Sequence, residues 1–408
     1  MRRALAMAAL AAAACSGSSA PGGSGALPVV TCSASPAVAP VGTPVAIRCT
    51  ASPGAGGPAW AVAPQGGSLL PGAGDDATFT VPAGSVGPSF GDTVFLVKAT
   101  YRNAAGEATG TAAATVLGNT WIARSDASAV LAVASDGTAL SAPLTLQGTA
   151  GPILALAGRA DGAILVAQSP QAGPPVRVHD RTGAALGSFD AVDGGGAALF
   201  DASAPPRAIQ QMRDGTVWVT GGTRPVIYEA AGRFRGRAAE APAETMGLTQ
   251  LPDGRVAVTY RYAWGIGFYD ESGATLTKKA IAATAPAGES YGAAGAVLAL
   301  ADGRLLLAAA HFAPAGWSGT LLRLDPGLGL EAELAAPARV LRNVPRALSL
   351  VGAAVDVAPS PAAGDTASAC PRRFAADLSG SSGCLDAATD FLGVAHLGPA
   401  PSGSPKPR

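Results

Sequence analysis

Histidine is nearly missing from this 408-residue chain, which has three: His179, His311 and His396. None is spaced as H-E-x-x-H, so that zinc pattern is excluded. Charge is scarce and balanced, at 14% charged residues with 28 basic against 28 acidic. A nucleic-acid binder carries a basic surplus, so no nucleic-acid partner is expected. No G-x-G-x-x-G or P-loop is present, which leaves dinucleotide or phosphate cradling unsupported. No cofactor and no metal are expected. What is plentiful is glycine and proline, 54 and 33 residues, about a fifth of the chain. That content breaks long helices and points to an all-β fold of short strands and turns. At 48% hydrophobic residues the chain has ample core material and is no charge-rich disordered segment.

Arg2-Arg3 precede an apolar run from Ala4 to Ala14, about half the length that spans a bilayer. It reads as a signal peptide over residues 1–14. The run ends in Ala12-Ala13-Ala14-Cys15 and Ser16-Gly17, which resembles the bacterial lipoprotein signal, with Ala12 where that family usually has Leu. The resemblance implies that Cys15 is acylated and becomes the mature N-terminus, a lipid anchor on the membrane. The alternative is an ordinary secretory signal and a secreted protein. Residues 15–26, rich in Gly, Ser and Pro, read as a flexible tether. The other four cysteines form local pairs, Cys32 with Cys49 and Cys370 with Cys384. In an oxidising compartment both are expected as disulfides, each contributing on the order of 3 kcal/mol in the chain-entropy model.

Residues 27–117 hold short strand-like runs: Val29 to Ser33, Pro44 to Thr50, Ala59 to Ala63, Ala77 to Val81, Thr93 to Tyr101 and Ala108 to Val116. Six or seven strands in about 90 residues make a β-sandwich. The segment is similar to bacterial Ig-like and PKD-like modules, which implies Trp60 in a core-packing place. Cys32 and Cys49 are too close in sequence to bridge two sheets and are expected to tie the first two strands.

From Trp121 a unit recurs: apolar stretch, Asp-Gly turn, apolar strand. It appears at Asp161-Gly162, Asp214-Gly215, Asp253-Gly254 and Asp302-Gly303, each followed by a second half of strand, turn with glycine and strand, for example at Gly183, Gly232 and Gly273. Four short strands per 40 to 50 residues is the period of a propeller blade, with Asp-Gly expected as a two-residue hairpin turn. LPDGRVAV and ADGRLLLA resemble NHL-like bacterial propeller repeats. Trp121 to Leu146, with Asp136-Gly137, reads as an outer half-blade with no inner partner before it. Val344 to Val357 reads as the inner half of another blade. Pairing the first half-blade with the last would close the ring, and Phe391 to Leu397 reads as a final strand after it. The expected fold is an Ig-like β-sandwich followed by a β-propeller over 120–397, of five to seven blades with six the best count, and a disordered tail at 398–408.

Chemistry is sparse. Gly288 to Gly292 and Gly87 to Gly91 both match the G-x-S-x-G elbow, which needs a strand before it and a helix after it. Asp190, Asp193 and Gly194 to Gly196 could form a weak calcium loop, though the spacing fits no EF-hand. No catalytic residue is assigned. Five aromatics fall in Thr259 to Asp270: Tyr260, Tyr262, Trp264, Phe268 and Tyr269. Links between second and third strands share one end of a propeller, which collects Arg224, Tyr262, Trp264, His311 and Trp317 as candidate ligand-binding residues. Half of the rings are expected to cap the core between blades. The expected function is non-catalytic binding of a protein or glycan partner by an exported, lipid-anchored bacterial envelope protein. The alternatives are an extracellular propeller lyase or lactonase and a structural envelope component.

Overall fold

A computed structural model describes residues 26–52, 55–124, 128–261, 263–314, 316–334, 345–352, 354–358, 372–378, 381–384 and 391–396. The signal peptide, Cys15, nearly all of the tether, Tyr262, Cys370 and the tail lie outside the described residues. No described helix is long and apolar enough to cross a membrane.

The first unit is a β-sandwich. One sheet holds β1 (Val30–Ser35), β3 (Val45–Ala51), β6 (Asp76–Thr80) and β5 (Ser68–Pro71), in the order β1-β3-β6-β5. The other holds β2 (Val38–Ala39), β8 (Gly106–Val116), β7 (Thr93–Asn103) and β4 (Ala59–Ala63), in the order β2-β8-β7-β4. Alternation along β3 and β7 sends Val45, Ile47, Phe95, Val97 and Ala99 inward. There Phe79 and Phe95 meet at 5.0 Å between ring centroids. Trp60 packs against this core while staying half-buried. Cys32 and Cys49 face each other across β1 and β3 and form the disulfide, within one sheet as their spacing requires. The short strands β2 and β5 carry no period long enough to register in the sequence.

The described residues between Thr120 and His396 form six four-stranded antiparallel sheets. Blade 1 has β9 (Thr120–Arg124), β10 (Ala129–Val133) and β11 (Ala139–Thr145). Blade 2 has β12 (Ile153–Gly158), β13 (Ile164–Gln168), β14 (Val176–His179) and β15 (Ala185–Ser188). Blade 3 has β16 (Ile209–Gln211), β17 (Val217–Val219), β18 (Val226–Tyr228) and β19 (Phe234–Arg237). Blade 4 has β20 (Thr245–Gln250), β21 (Val256–Tyr260), β22 (Gly265–Tyr269) and β23 (Thr275–Ala280). Blade 5 has β24 (Ser290–Ala299), β25 (Leu305–Ala313), β26 (Gly316–Leu324) and β27 (Leu330–Glu333). Blade 6 has β28 (Ala347–Val351), β29 (Ala354–Ala358), β30 (Arg372–Ala375) and β31 (Ser381–Cys384). The last strand, β32 (Phe391–His396), pairs with β9 and supplies the inner strand of blade 1. The innermost strands touch in the cyclic order β32, β12, β16, β20, β24, β28 and back to β32. The ring is a six-bladed β-propeller, and its closure leaves no inner edge exposed.

The Asp-Gly hairpins differ in detail from the expected two-residue turn. Arg159 N donates to Ala163 O and Gly162 N to Arg159 O, so Ala160, Asp161 and Gly162 form a three-residue loop. The same pair of bonds recurs at Met212–Thr216, Leu251–Arg255 and Leu300–Arg304. A two-residue type I′ turn needs positive φ at both central residues. Only the glycine has it here, for example φ 80° at Gly162. The aspartate instead accepts a bond from the backbone two residues on, as Asp214 does from Thr216 N at 2.9 Å.

Five of the six seams between blades are apolar. Clusters join blade 1 to 2 (Trp121, Ile153), 2 to 3 (Leu165, Val217), 3 to 4 (Trp218, Tyr269), 4 to 5 (Phe268, Leu307) and 5 to 6 (Leu321, Phe374). The sixth seam adds an ion pair to buried apolar residues of blade 1, Ile122, Leu131 and Val133, which strand alternation turns away from the blade 2 cluster. Asp356 on β29 is fully buried and takes Arg373 Nε at 2.6 Å and Nη2 at 2.8 Å. Thr120 Oγ1 of blade 1 donates to the same carboxylate at 2.8 Å, and Arg373 Nη1 donates to Ser135 O of blade 1. Ser135 Oγ donates to Leu117 O at 2.8 Å and accepts from Val41 N of the sandwich at 2.8 Å. The loop 87–91, one of the two G-x-S-x-G matches, packs on the linker: Asn119 N bonds Phe90 O, Asn119 Nδ2 bonds Gly87 O, and Trp121 Nε1 bonds Pro88 O. It is a docking loop between the two units.

His179 is fully buried on β14, against Gly183 O at 3.2 Å and Thr149 Oγ1 at 3.3 Å. Burial lowers its pKa below the ordinary 6.5 and prevails over the Gly183 O bond and the Asp180 charge, which act the other way, with Arg177 adding to burial. The unfolded chain therefore takes up this proton first as pH falls below about 6.5, and the folded state loses stability there. His179→Gln should flatten the fall in Tm between pH 7 and 5; equal slopes for both proteins would contradict this.

Candidate functional site

The inner strands all start at one end of the ring. A narrow recess there is lined by Leu154, Pro206, Arg207, Met246, Gly295 and Arg346, at the start of five inner strands. It adjoins a central channel of about 450 Å³ whose wall takes residues from all six blades, Ala395 of β32 included. The links from second to third strand and the blade-to-blade connections open on this end, whereas the Asp-Gly turns lie at the other.

Two side-chain groups occupy this end. The first is aromatic and lies between blades 4 and 5. Trp264 is half-buried and stacks on Tyr291, 5.8 Å between centroids at 23°. Tyr291 lies 5.4 Å from His311, its cross-strand partner. Tyr291 OH donates to Glu333 Oε2 at 2.7 Å, and His311 Nε2 bonds Glu289 Oε2 at 2.6 Å. His311 is only 4% exposed, while Phe312 beside it is 45% exposed. The second group is charged. Glu244 Oε1 takes Arg207 Nε at 2.9 Å and Nη2 at 2.8 Å, and Oε2 takes Arg261 Nη1 at 2.8 Å. Burial alone would raise the Glu244 carboxyl, but bonds and charge from Arg261 and Arg207 outweigh it and hold it below the usual carboxylate range.

Of the residues singled out in the sequence, Trp264 and His311 are brought together. Arg224 is exposed in its link and donates Nε to Ala238 O at 3.1 Å. Trp317 lies opposite Phe312 on β26, and Tyr262 lies outside the described residues. Tyr260, Phe268 and Tyr269 are core, because the middle strands of a blade are covered on both faces. Ser290 of the second G-x-S-x-G match begins β24, and a ten-residue strand follows where the elbow needs a helix. Asp193 Oδ1 accepts Gly195 N and Ala197 N, and Asp190 Oδ2 accepts Phe234 N, so both carboxylates serve turns. No group of three metal-ligating side chains occurs among the described residues. Sequence reading missed Arg207 and Arg346, although a repeated Pro-Arg-Ala marks both, at Pro206-Arg207-Ala208 and Pro345-Arg346-Ala347.

No protein-family model and no curated protein matches the chain. Among solved structures, a protein of unknown function from Bacteroides caccae is similar at 12% identity and TM-score 0.47, over 68% of this chain and 98% of that one. A Lactobacillus plantarum protein is similar at 15% identity and TM-score 0.45, over 68% and 99%. Virginiamycin B lyase from Staphylococcus aureus is similar at 15% identity and TM-score 0.40, over 66% and 91%.

Proposed function

We propose that this is an exported bacterial envelope protein, anchored through acylated Cys15, whose propeller captures a protein or glycan partner without catalysis. The sandwich, Ig-like in strand order, stands between anchor and ring. The observation that carries the reading is that the half-buried Trp264, stacked on Tyr291, and the exposed Phe312 of β25 both lie on the end of the ring where the links gather. Aromatic faces among a few polar groups stack on sugars or anchor a partner's side chains.

Capture is tested with the mature protein against envelope polysaccharides and envelope proteins of the producing cell. Trp264→Ala with Phe312→Ala should abolish capture, by at least tenfold in affinity, and leave Tm within about 3 °C, since neither ring is fully buried. Unchanged capture, or unfolding of the variant, would sink the reading. A second reading, an extracellular lyase or lactonase, is favoured by the His311–Glu289 pair, a base oriented by a carboxylate. It requires turnover that disappears in His311→Ala.

A further inference from the structure

The charged group at the channel end holds more positive than negative charge. Arg207 and Arg261 share the single carboxylate of Glu244. Arg346, opposite Arg207 in the cycle of blades, lines both the recess and the channel. It has no hydrogen-bond or ion-pair partner among the described residues. Three guanidinium groups therefore gather around the one carboxylate of Glu244, in a chain whose formal net charge is zero. Burial lowers the Arg346 pKa, and the nearby charges of Arg207 and Arg261 lower it further. An arginine stays protonated regardless, so the desolvated cation has every reason to accept an anion. Below it the channel wall is mixed, with Leu156, Ile209, Leu248, Val297 and Leu348 among the polar Arg159, Gln210, Thr249 and Ser349. The volume of about 450 Å³ lies within the range of small-molecule sites.

We propose that the channel is a second binding site, separate from the aromatic rim, for a small molecule with a carboxylate head and an apolar body, the head held by Arg346 with Arg207 beside it. A carboxylate matches the planar fork of a guanidinium through two parallel bonds. Arg346 has that fork to offer, whereas the Nε and one Nη of Arg207 are already spent on Glu244. The apolar side chains of the wall supply the contact for the body, and the like charges around Arg346 supply the selectivity against cations and neutral heads.

Isothermal titration of the mature protein with octanoate, octanol and octylammonium is the test. Octanoate should bind, and the other two at least tenfold more weakly. Arg346→Gln should weaken octanoate at least tenfold while keeping or raising Tm, because it removes a desolvated charge that faces two others. The Trp264→Ala/Phe312→Ala variant should bind octanoate as the unaltered protein does, so the two sites succeed or fail separately. No octanoate binding, octanol binding as well as octanoate, or an unchanged affinity in Arg346→Gln would each overturn the assignment. The comparison of head groups on the unaltered protein decides the matter even should the variant not fold.

Discussion

Asp356→Ala should destabilise the ring by about 3–5 kcal/mol, because it removes the carboxylate that takes two charge-assisted bonds from the buried Arg373 guanidinium. Arg373 is 11% exposed at its side chain and donates two bonds to Asp356. The same carboxylate receives Thr120 Oγ1, so its loss also removes a side-chain tie between blade 1 and blade 6. In a ring of this size the fall in Tm should be on the order of 10 °C, read by calorimetry or circular dichroism. Replacing both partners with apolar residues of similar volume, Asp356→Leu with Arg373→Met, should recover most of the loss, since the pair itself balances attraction against desolvation. A single variant with unaltered Tm would show that this seam does not hold the ring. The network also reaches Val41 through Ser135, so the single variant should loosen the sandwich from the propeller.

The second large effect is expected from ending the chain after residue 390. That removes β32, whose backbone pairs with β9 from Phe391↔Arg124 to His396↔Thr120. Blade 1 would be left with three strands and a bare inner edge facing the channel, and such edges pair with other chains. The apolar seam to blade 2 would lose Ala395. The truncated protein should aggregate or lose its cooperative thermal transition. A monomer with the Tm of the full chain would mean that the last strand is an appendage.

Much of this architecture was legible because strands and turns leave local marks. The Asp-Gly repeats located the hairpins, and Trp121 to Leu146 read as a half-blade because nothing strand-like of the ring preceded it. That surplus half called for an inner partner, but the partner is the single strand Phe391–His396 rather than the half-blade at Val344 to Val357, which completes a blade of its own. What stayed hidden depends on which strands converge at the hub. Arg207 and Arg346 lie 139 positions apart, and only a closed ring sets them around one recess. Asp356 was signalled faintly, as a lone charge inside Ala354-Val355-Asp356-Val357-Ala358, but its partner is on the next strand and its second contact is Thr120 of blade 1. The aromatic cluster misled in part. Composition counts rings without saying which face of a blade they occupy, and Tyr260, Phe268 and Tyr269 occupy covered ones.

Closure of the ring by its final strand underlies both the channel and the end on which the candidate residues gather. Hydrogen exchange read by mass spectrometry tests it directly. Peptides covering 120–124 and 391–396 should share one slow exchange regime, and both should become fast together in Asp356→Ala. Exchange of 391–396 at the rate of an unstructured peptide, with 120–124 still protected, would contradict it.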